Sequence, residues 1–379
     1  MLSAMEILIV KLSAIGDVIH TLPALDALHH SFPESNITWL VEEKSCDIIN
    51  DHPYLKRVVV SKRKRWLKDL KKPSLWYHTL QEITVFVREL RSRDYDWVID
   101  FQGLLKSGLL VFLSRGKRKI GYDRTRELSY FFLNERIPPY PLDQHAVERN
   151  MNIVRFLGVK PDRVVFDLLE KKVNNFGHGL KTNRNSRTGF TIPIGEEDKS
   201  KVQRFLSANQ ISTSRPLIAI NSQAGWVTKL WKPLKMAKLS DRLIENYDAQ
   251  IIFTGGKNDY QSIEDILSLM EHKALNCSGK TSLKELSFLL SLSDLMITTD
   301  SGPMHIASAM DTPTVALFGP TAPWRTGPYS NNAIILRNNI SCSPCFKRKC
   351  DIKSCMDMIS VEEVLDAVDK QLGHGDAKN

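Results

Sequence analysis

The sequence predicts an α/β fold built twice over, and three observations carry that prediction. Apolar runs of strand length recur along the chain, and segments with helical spacing lie between them. The alternation breaks once, over the polar stretch Lys171 to Arg187, and then starts again. A length of 379 residues suits two domains of about 150 to 200 residues each.

Residues 5–10, MEILIV, form the first run, and the KLSAIGDVIHTLPALDALHHSF that follows shifts to helical spacing through Ile19, Leu22, Leu25 and Leu28. This predicts a strand, a short loop holding Gly16 and Asp17, and a helix. The pattern repeats with ITWLV at 37–41, VVV at 58–60, and WVID at 97–100 before GLLKSGLLVFL. After the break come LIAI at 217–220, IIFT at 251–254, LMITT at 295–299 and TVALF at 314–318. Apolar strands alternating with helices predict parallel sheets covered on both faces. The expected layout is a first domain over 1–170, a linker over 171–190, a second domain over 191–358, and a C-terminal helix and tail over 359–379. The two halves are expected to face each other across a cleft. Ligands of such sheets bind at the carboxyl ends of the strands, which draws attention to the loops after Val10, Ile220, Thr254 and Thr299.

The excess of 52 Lys and Arg over 43 Asp and Glu gives a net charge of +9, which suits a phosphorylated substrate, an anionic membrane surface or nucleic acid. No recognition motif accompanies the charge, so nucleic acid is not an expected partner. No run approaches the roughly 20 apolar residues of a membrane helix, and the N-terminus lacks the regions of a cleaved signal. A cytoplasmic protein is expected.

No GxGxxG occurs, which argues against a nicotinamide or flavin dehydrogenase. The segment ALNCSGKTS has Ala274 where a P-loop needs its first glycine, so an ATPase site is not expected there. The segment TTDSGPMHIASA leaves an apolar strand at Asp300, turns through Ser301 and Gly302, and enters a helix at Pro303. Backbone N–H groups of such a turn make a phosphate site, to which His305 adds a donor. Simple helix capping by Asp300 and Ser301 is the competing explanation.

Lys229 follows the strand LIAI in NSQAGWVTKLWKP and suits a diphosphate. Asp259, after the Gly255–Gly256 turn, suits ribose hydroxyls. Asp17 suits a general base acting on an acceptor hydroxyl, with helix capping again the alternative. The run SKRKRWLKDLKK at 61–72 reads either as a solvated face or as an acceptor site for carboxylates and phosphates. Trp66 and Leu67 would then touch something less polar. Arg63, Lys64 and Arg65 lie in it, and Arg124, Arg126, His145 and Arg149 add to it from the same half. Cys342, Cys345, Cys350 and Cys355 in CSPCFKRKCDIKSC could bind metal or serve as reduced or disulfide-forming structural cysteines.

With these residues in view, the chain resembles the lipopolysaccharide heptosyltransferases of glycosyltransferase family 9, most like type I. KLSAIGDVIHTLPAL, YDWVIDFQGLLKSGLL and TTDSGPMHIASAMDTPTVALFGPTAPWRTGPYS carry the resemblance, joined by RKRW, GYDRTRE and QHAVERN. It implies a GT-B fold of two Rossmann-like domains, acceptor on the first and ADP-sugar on the second. It also implies inverting transfer of heptose from ADP-heptose to a Kdo-containing lipid A precursor at the cytoplasmic face of the inner membrane, with peripheral contact between the enzyme and that anionic surface. No cofactor and no catalytic metal ligand are implied. The base falls on Asp17, the diphosphate lysine on Lys229, the ribose acid on Asp259, the phosphate turn on Asp300, Ser301, Gly302 and His305, and the adenine neighbour on Thr281. Another family 9 transferase with a different donor or later core acceptor, and a non-catalytic binder of nucleotide-sugars or polyanions, remain open.

Overall fold

The computed structural model describes residues 4–159 and 189–373. They divide into two compact units, 4–159 with 189–193, and 194–373. The expected linker over 171–190 lies, save its last two residues, outside the described residues.

The first unit runs β1 (Glu6–Val10), α1 (Ile15–Ile19), α2 (Leu22–Ser31), β2 (Asn36–Glu42), β3 (Arg57–Ser61), α3 (Arg63–Asp69) and α4 (Trp76–Leu90). It continues with β4 (Tyr95–Asp100), α5 (Leu105–Leu113), β5 (Gly116–Tyr122), β6 (Glu135–Ile137) and α6 (Ala146–Phe156). All strands pair in parallel in the order β3-β2-β1-β4-β5-β6. The chain reverses its direction of travel across the sheet between β1 and β4, which opens a crevice at their carboxyl ends. β1 is apolar on both faces because helices cover both, and Ile7 to Val10 are fully buried.

On one face α3, α4 and α5 pack a single cluster, with Trp66, Phe86, Leu90, Leu110 and Val111 against Leu8, Val10, Leu40, Val59 and Val98. Trp66 therefore faces the core and not a ligand, which corrects the expectation for that side chain. Its indole N–H donates to Glu82 at 2.8 Å, and its ring lies 5.2 Å from that of Phe86.

The second unit runs α7 (Glu196–Ala208), β7 (Leu217–Asn221), α8 (Pro233–Tyr247), β8 (Gln250–Phe253), α9 (Tyr260–Leu267), β9 (Leu275–Asn276) and α10 (Leu283–Leu292). Then follow β10 (Leu295–Thr299), α11 (Gly302–Ala309), β11 (Thr314–Phe318), α12 (Pro323–Thr326), β12 (Ala333–Arg337), α13 (Ser354–Asp357) and α14 (Val361–Leu372). Its sheet, β12-β11-β10-β7-β8-β9, repeats the strand order of the first, with the reversal between β7 and β10. Helix α14 begins with a reciprocal cap, Ser360 Oγ accepting from the Glu363 N–H at 3.1 Å and Glu363 accepting from the Ser360 N–H at 2.7 Å. It then buries Val364, Leu365 and Val368 against Ile297 and Val315, so the last helix completes the second core. Among the described residues, no helix is long and apolar enough to cross a membrane.

Candidate active site

In the second unit the carboxyl ends of β7, β10 and β11 are stitched together by side chains. Lys229 lies in a short 3-10 turn, Val227–Lys229, and its Nζ is 2.7 Å from Asp300 Oδ2. Thr321, just past β11, donates its hydroxyl to the same oxygen. Asn221 Nδ2 donates to Ser301 Oγ at 2.7 Å and to the Gln223 carbonyl at 2.8 Å, and Thr299 Oγ1 donates to that carbonyl at 2.9 Å.

These bonds bear on whether Asp300 and Ser301 merely cap α11. Ser301 occupies the cap position without a side-chain cap bond, its hydroxyl being held by Asn221, while Asp300 is turned to Lys229 and Thr321. The cap position thus supplies no side-chain acceptor to the first N–H groups of α11, which lie at the positive end of the helix and beside the half-buried Lys229 ammonium. That arrangement suits an anion. His305 sits in the first turns of α11, buried.

Asp259 and Thr281 lie further along the same edge. Asp259 Oδ2 accepts from the Gly256 N–H at 2.7 Å, so this carboxylate does serve as a local cap. Gly279, in the turn before Thr281, has φ +69°, and a Cβ there would sit 2.7 Å from Lys257 Cγ. Its N–H donates to the Gly255 carbonyl at 2.9 Å, which ties the two turns to one another.

In the first unit Asp17 is the third residue of α1, and its Oδ2 accepts from the Ala14 N–H at 3.0 Å. Oδ1 has no partner among the described residues. The loop between β1 and α1 is held from β4's side, because Gln102 Oε1 accepts from the N–H groups of Leu12 and Ser13, each at 3.0 Å. Lys11 Nζ donates to the Phe101 carbonyl at 2.8 Å. Burial lowers its pKa against the opposing pull of Asp17. Asp100, at the end of β4, accepts from the N–H groups of Gln102 and Gly103 and from Ser107 Oγ at 2.9, 3.1 and 3.0 Å, yet burial raises its pKa.

Glu42, at the end of β2, gathers cations. Arg63 and Lys106 lie 3.1 Å from its Oε1 and Lys64 lies 3.2 Å from its Oε2. Lys106 Nζ also donates to Ser13 Oγ at 2.7 Å, linking this cluster to the Asp17 loop. His145 caps α6, its Nδ1 accepting from the Val147 N–H at 3.2 Å, and its ring lies edge-on to His20 at 5.2 Å. Asn150 on the same helix donates to the His20 carbonyl and to Thr21 Oγ1, so α6 is sewn to the end of α1.

Residues 83–356 match Glycosyltransferase family 9 (heptosyltransferase). The chain belongs to glycosyltransferase family 9. It is 30% identical over 347 residues to lipopolysaccharide heptosyltransferase 1 of Salmonella typhimurium, covering 90% of this chain and 95% of that protein. It is 29% identical over 350 residues to lipopolysaccharide heptosyltransferase 1 of Pseudomonas aeruginosa, covering 91% and 87%. The fold is shared with the E. coli heptosyltransferase WaaC with ADP-2-deoxy-2-fluoro heptose, at a TM-score of 0.66 and 24% identity, over 97% of this chain and 99% of that one. Both Rossmann-like units expected of a GT-B transferase are therefore present.

Within this family 9 chain, not every residue singled out in the sequence joins a cluster. Arg65 turns away from Arg63 and Lys64 to pair with Glu82 on α4. Arg124, at φ +50°, stands 84% exposed in the turn after β5, 3.8 Å from Asp123. Other members of the two clusters went unnamed, including Glu42, Gln102, Lys106, Asn221 and Thr321. Glu42 carried a readable signal, since it ends the apolar run ITWLV as Asp300 ends LMITT. The cysteines Cys342, Cys345, Cys350 and Cys355 are all free thiols. Among the described residues, no group of three or more His, Cys, Asp or Glu is placed to hold a metal.

Proposed function

We propose that this enzyme transfers a heptose from ADP-heptose to the Kdo region of a lipid A precursor, with inversion at the anomeric carbon, at the cytoplasmic face of the inner membrane. What carries the reading is the likeness over nine-tenths of the chain to lipopolysaccharide heptosyltransferase 1. It is supported by the two polar clusters at the carboxyl ends of β1, β2 and β4 and of β7, β10 and β11.

Asp17 takes the proton of the acceptor hydroxyl as that oxygen attacks the anomeric carbon. The bond from that carbon to the diphosphate oxygen breaks, and ADP departs. Lys229 and the first N–H groups of α11, with Ser301, Gly302 and His305, meet the charge that grows on the leaving diphosphate, while Asp300 orients Lys229. Asp259 lies toward the ribose and Thr281 toward the adenine. Arg63, Lys64, Arg65, Arg124 and His145 receive the carboxylates and phosphates of the acceptor, Arg65 being held on α3 by Glu82 of α4.

The test is direct. Purified protein is incubated with ADP-heptose and Kdo-lipid A, and the lipid is weighed by mass spectrometry. A heptose increment that disappears in Asp17→Ala supports the reading, and an unchanged lipid mass sinks it.

A further inference from the structure

The outward side of α3, α4 and α5 is unlike an ordinary wetted surface. The three helices pack one cluster, so their outer faces form one side of the first unit. On α4, Trp76, Tyr77 and Leu80 are all more than half exposed, Tyr77 reaching 78%. On α5, Leu105, Leu109 and Phe112 are likewise more than half exposed, at the i, i+4, i+7 spacing of a single stripe. Helices α2 and α6 pack on one another outside that cluster, and they expose only Phe156 among large apolar residues. Scattered apolar residues on a surface are ordinary, but a concentrated field of them marks an interaction site.

Cations border this field. Lys68, Lys71 and Lys72 are exposed, and among the described residues no carboxylate lies within ion-pair distance of them, Asp69 and Glu82 being taken by Arg65. Trp76 is held beside them by its indole N–H, which donates to the Leu70 carbonyl at 2.8 Å. At the other border Lys119 Nζ stands 5.9 Å above the Phe112 ring. Indole and phenol rings with polar tips, aliphatic side chains between them and unpaired lysines around them match the headgroup layer of an anionic membrane.

We propose that this enzyme lies on an anionic lipid bilayer through the outer side of α3, α4 and α5. Trp76, Tyr77 and Leu80 sit at headgroup depth, and Lys68, Lys71 and Lys72 meet lipid phosphates. The proposal deepens the function above and rests on it for its purpose, since an acceptor borne on lipid A is reached from such a surface. Helix α3 starts with Arg63 and Lys64, the residues gathered on Glu42, so the docking helix leads straight to the acceptor cluster.

Co-sedimentation with phosphatidylethanolamine–phosphatidylglycerol vesicles tests it, with phosphatidylcholine vesicles and single-stranded RNA as comparisons. The full chain is expected to bind the anionic vesicles and to leave them at high salt. Lys68→Gln/Lys71→Gln/Lys72→Gln should bind about a hundredfold more weakly, and Trp76→Ser/Tyr77→Ser about tenfold more weakly. Leu109→Ser/Phe112→Ser, on the other helix, should also weaken binding. All three should keep the wild-type melting temperature and the wild-type turnover of a delipidated, water-soluble acceptor. Absence of vesicle binding by the wild type, full binding by the aromatic variant, or RNA displacing the vesicles overturns the proposal. Vesicle binding without heptose transfer to any acceptor would instead overturn the function and leave the surface standing.

Discussion

Lys229 Nζ and Asp300 Oδ2 stand 2.7 Å apart with side chains only 15% and 7% exposed. Breaking such a pair leaves one charge buried without its counterion, which costs about 3 to 5 kcal/mol. Lys229→Met and Asp300→Asn should each lower unfolding free energy by about 3 kcal/mol, measured by urea denaturation. Lys229→Met/Asp300→Leu should recover most of that loss while still failing to bind ADP. Full ADP affinity in the double variant would remove Lys229 from the donor site.

Glu42 contributes to the acid sensitivity of the first unit. Burial pushes its carboxyl up, but Lys106 and then Lys64 and Arg63 outweigh that and hold it below the usual glutamate range. A carboxyl depressed in the folded state stabilises the fold above its unfolded value, about 4.3, and the gain is lost as pH falls through the folded value. Glu42→Gln should therefore cost about 2 kcal/mol at pH 7. The two proteins should converge in stability as pH falls through the folded value, as followed by denaturant titration at each pH. A gap that stays constant as pH falls would contradict the assignment.

Gln102 holds the loop that leads to Asp17, through the N–H groups of Leu12 and Ser13. Gln102→Ala removes the acceptor of both and frees the loop, so kcat should fall about tenfold to a hundredfold with KM for ADP-heptose unchanged. Gln102→Glu keeps an oxygen in place and should restore most of the rate. A wild-type kcat in Gln102→Ala would show that the loop is held by other means.

The central strands were legible because helices cover both their faces, which turns them into uninterrupted apolar runs. β5 was not, since GKRKIGY buries only its last three residues and becomes a strand by pairing with β4 and β6. β9 and β6, at two and three residues, are too short to show a period. In the site, Asp300 and Lys229 were each readable from their place after an apolar strand, but their pairing was not, being a contact between distant turns. Asp100 and Asp300 look alike in sequence, each ending a strand that borders the reversal of its sheet. One binds its own loop's N–H groups and the other binds Lys229, and only packing separates them. The pairing of Arg65 was hidden for the same reason, since helical phase on α3 turns it from Glu42 toward Glu82.

Thiol reactivity offers a last test, and it reaches the donor site. The N–H groups of Lys353 and Ile352 lower the pKa of the exposed Cys350, whereas burial raises Cys355 and pushes Cys277 up to about 11. Because the thiolate is the nucleophile, limiting iodoacetamide at neutral pH should label Cys350 first, and Cys277 at least about a hundredfold more slowly. Peptide mass spectrometry of timed samples gives the order. The loop bearing Cys350 also supports the Lys229 turn: Thr228 Oγ1 donates to the Lys347 carbonyl at 2.8 Å, and Arg348 stacks 5.0 Å from the Trp226 ring that Lys229 faces at 4.6 Å. Adding a bulky group at Cys350 should shift that loop and weaken ADP binding several-fold. Equal ADP affinity before and after modification would separate the cysteine loop from the donor site.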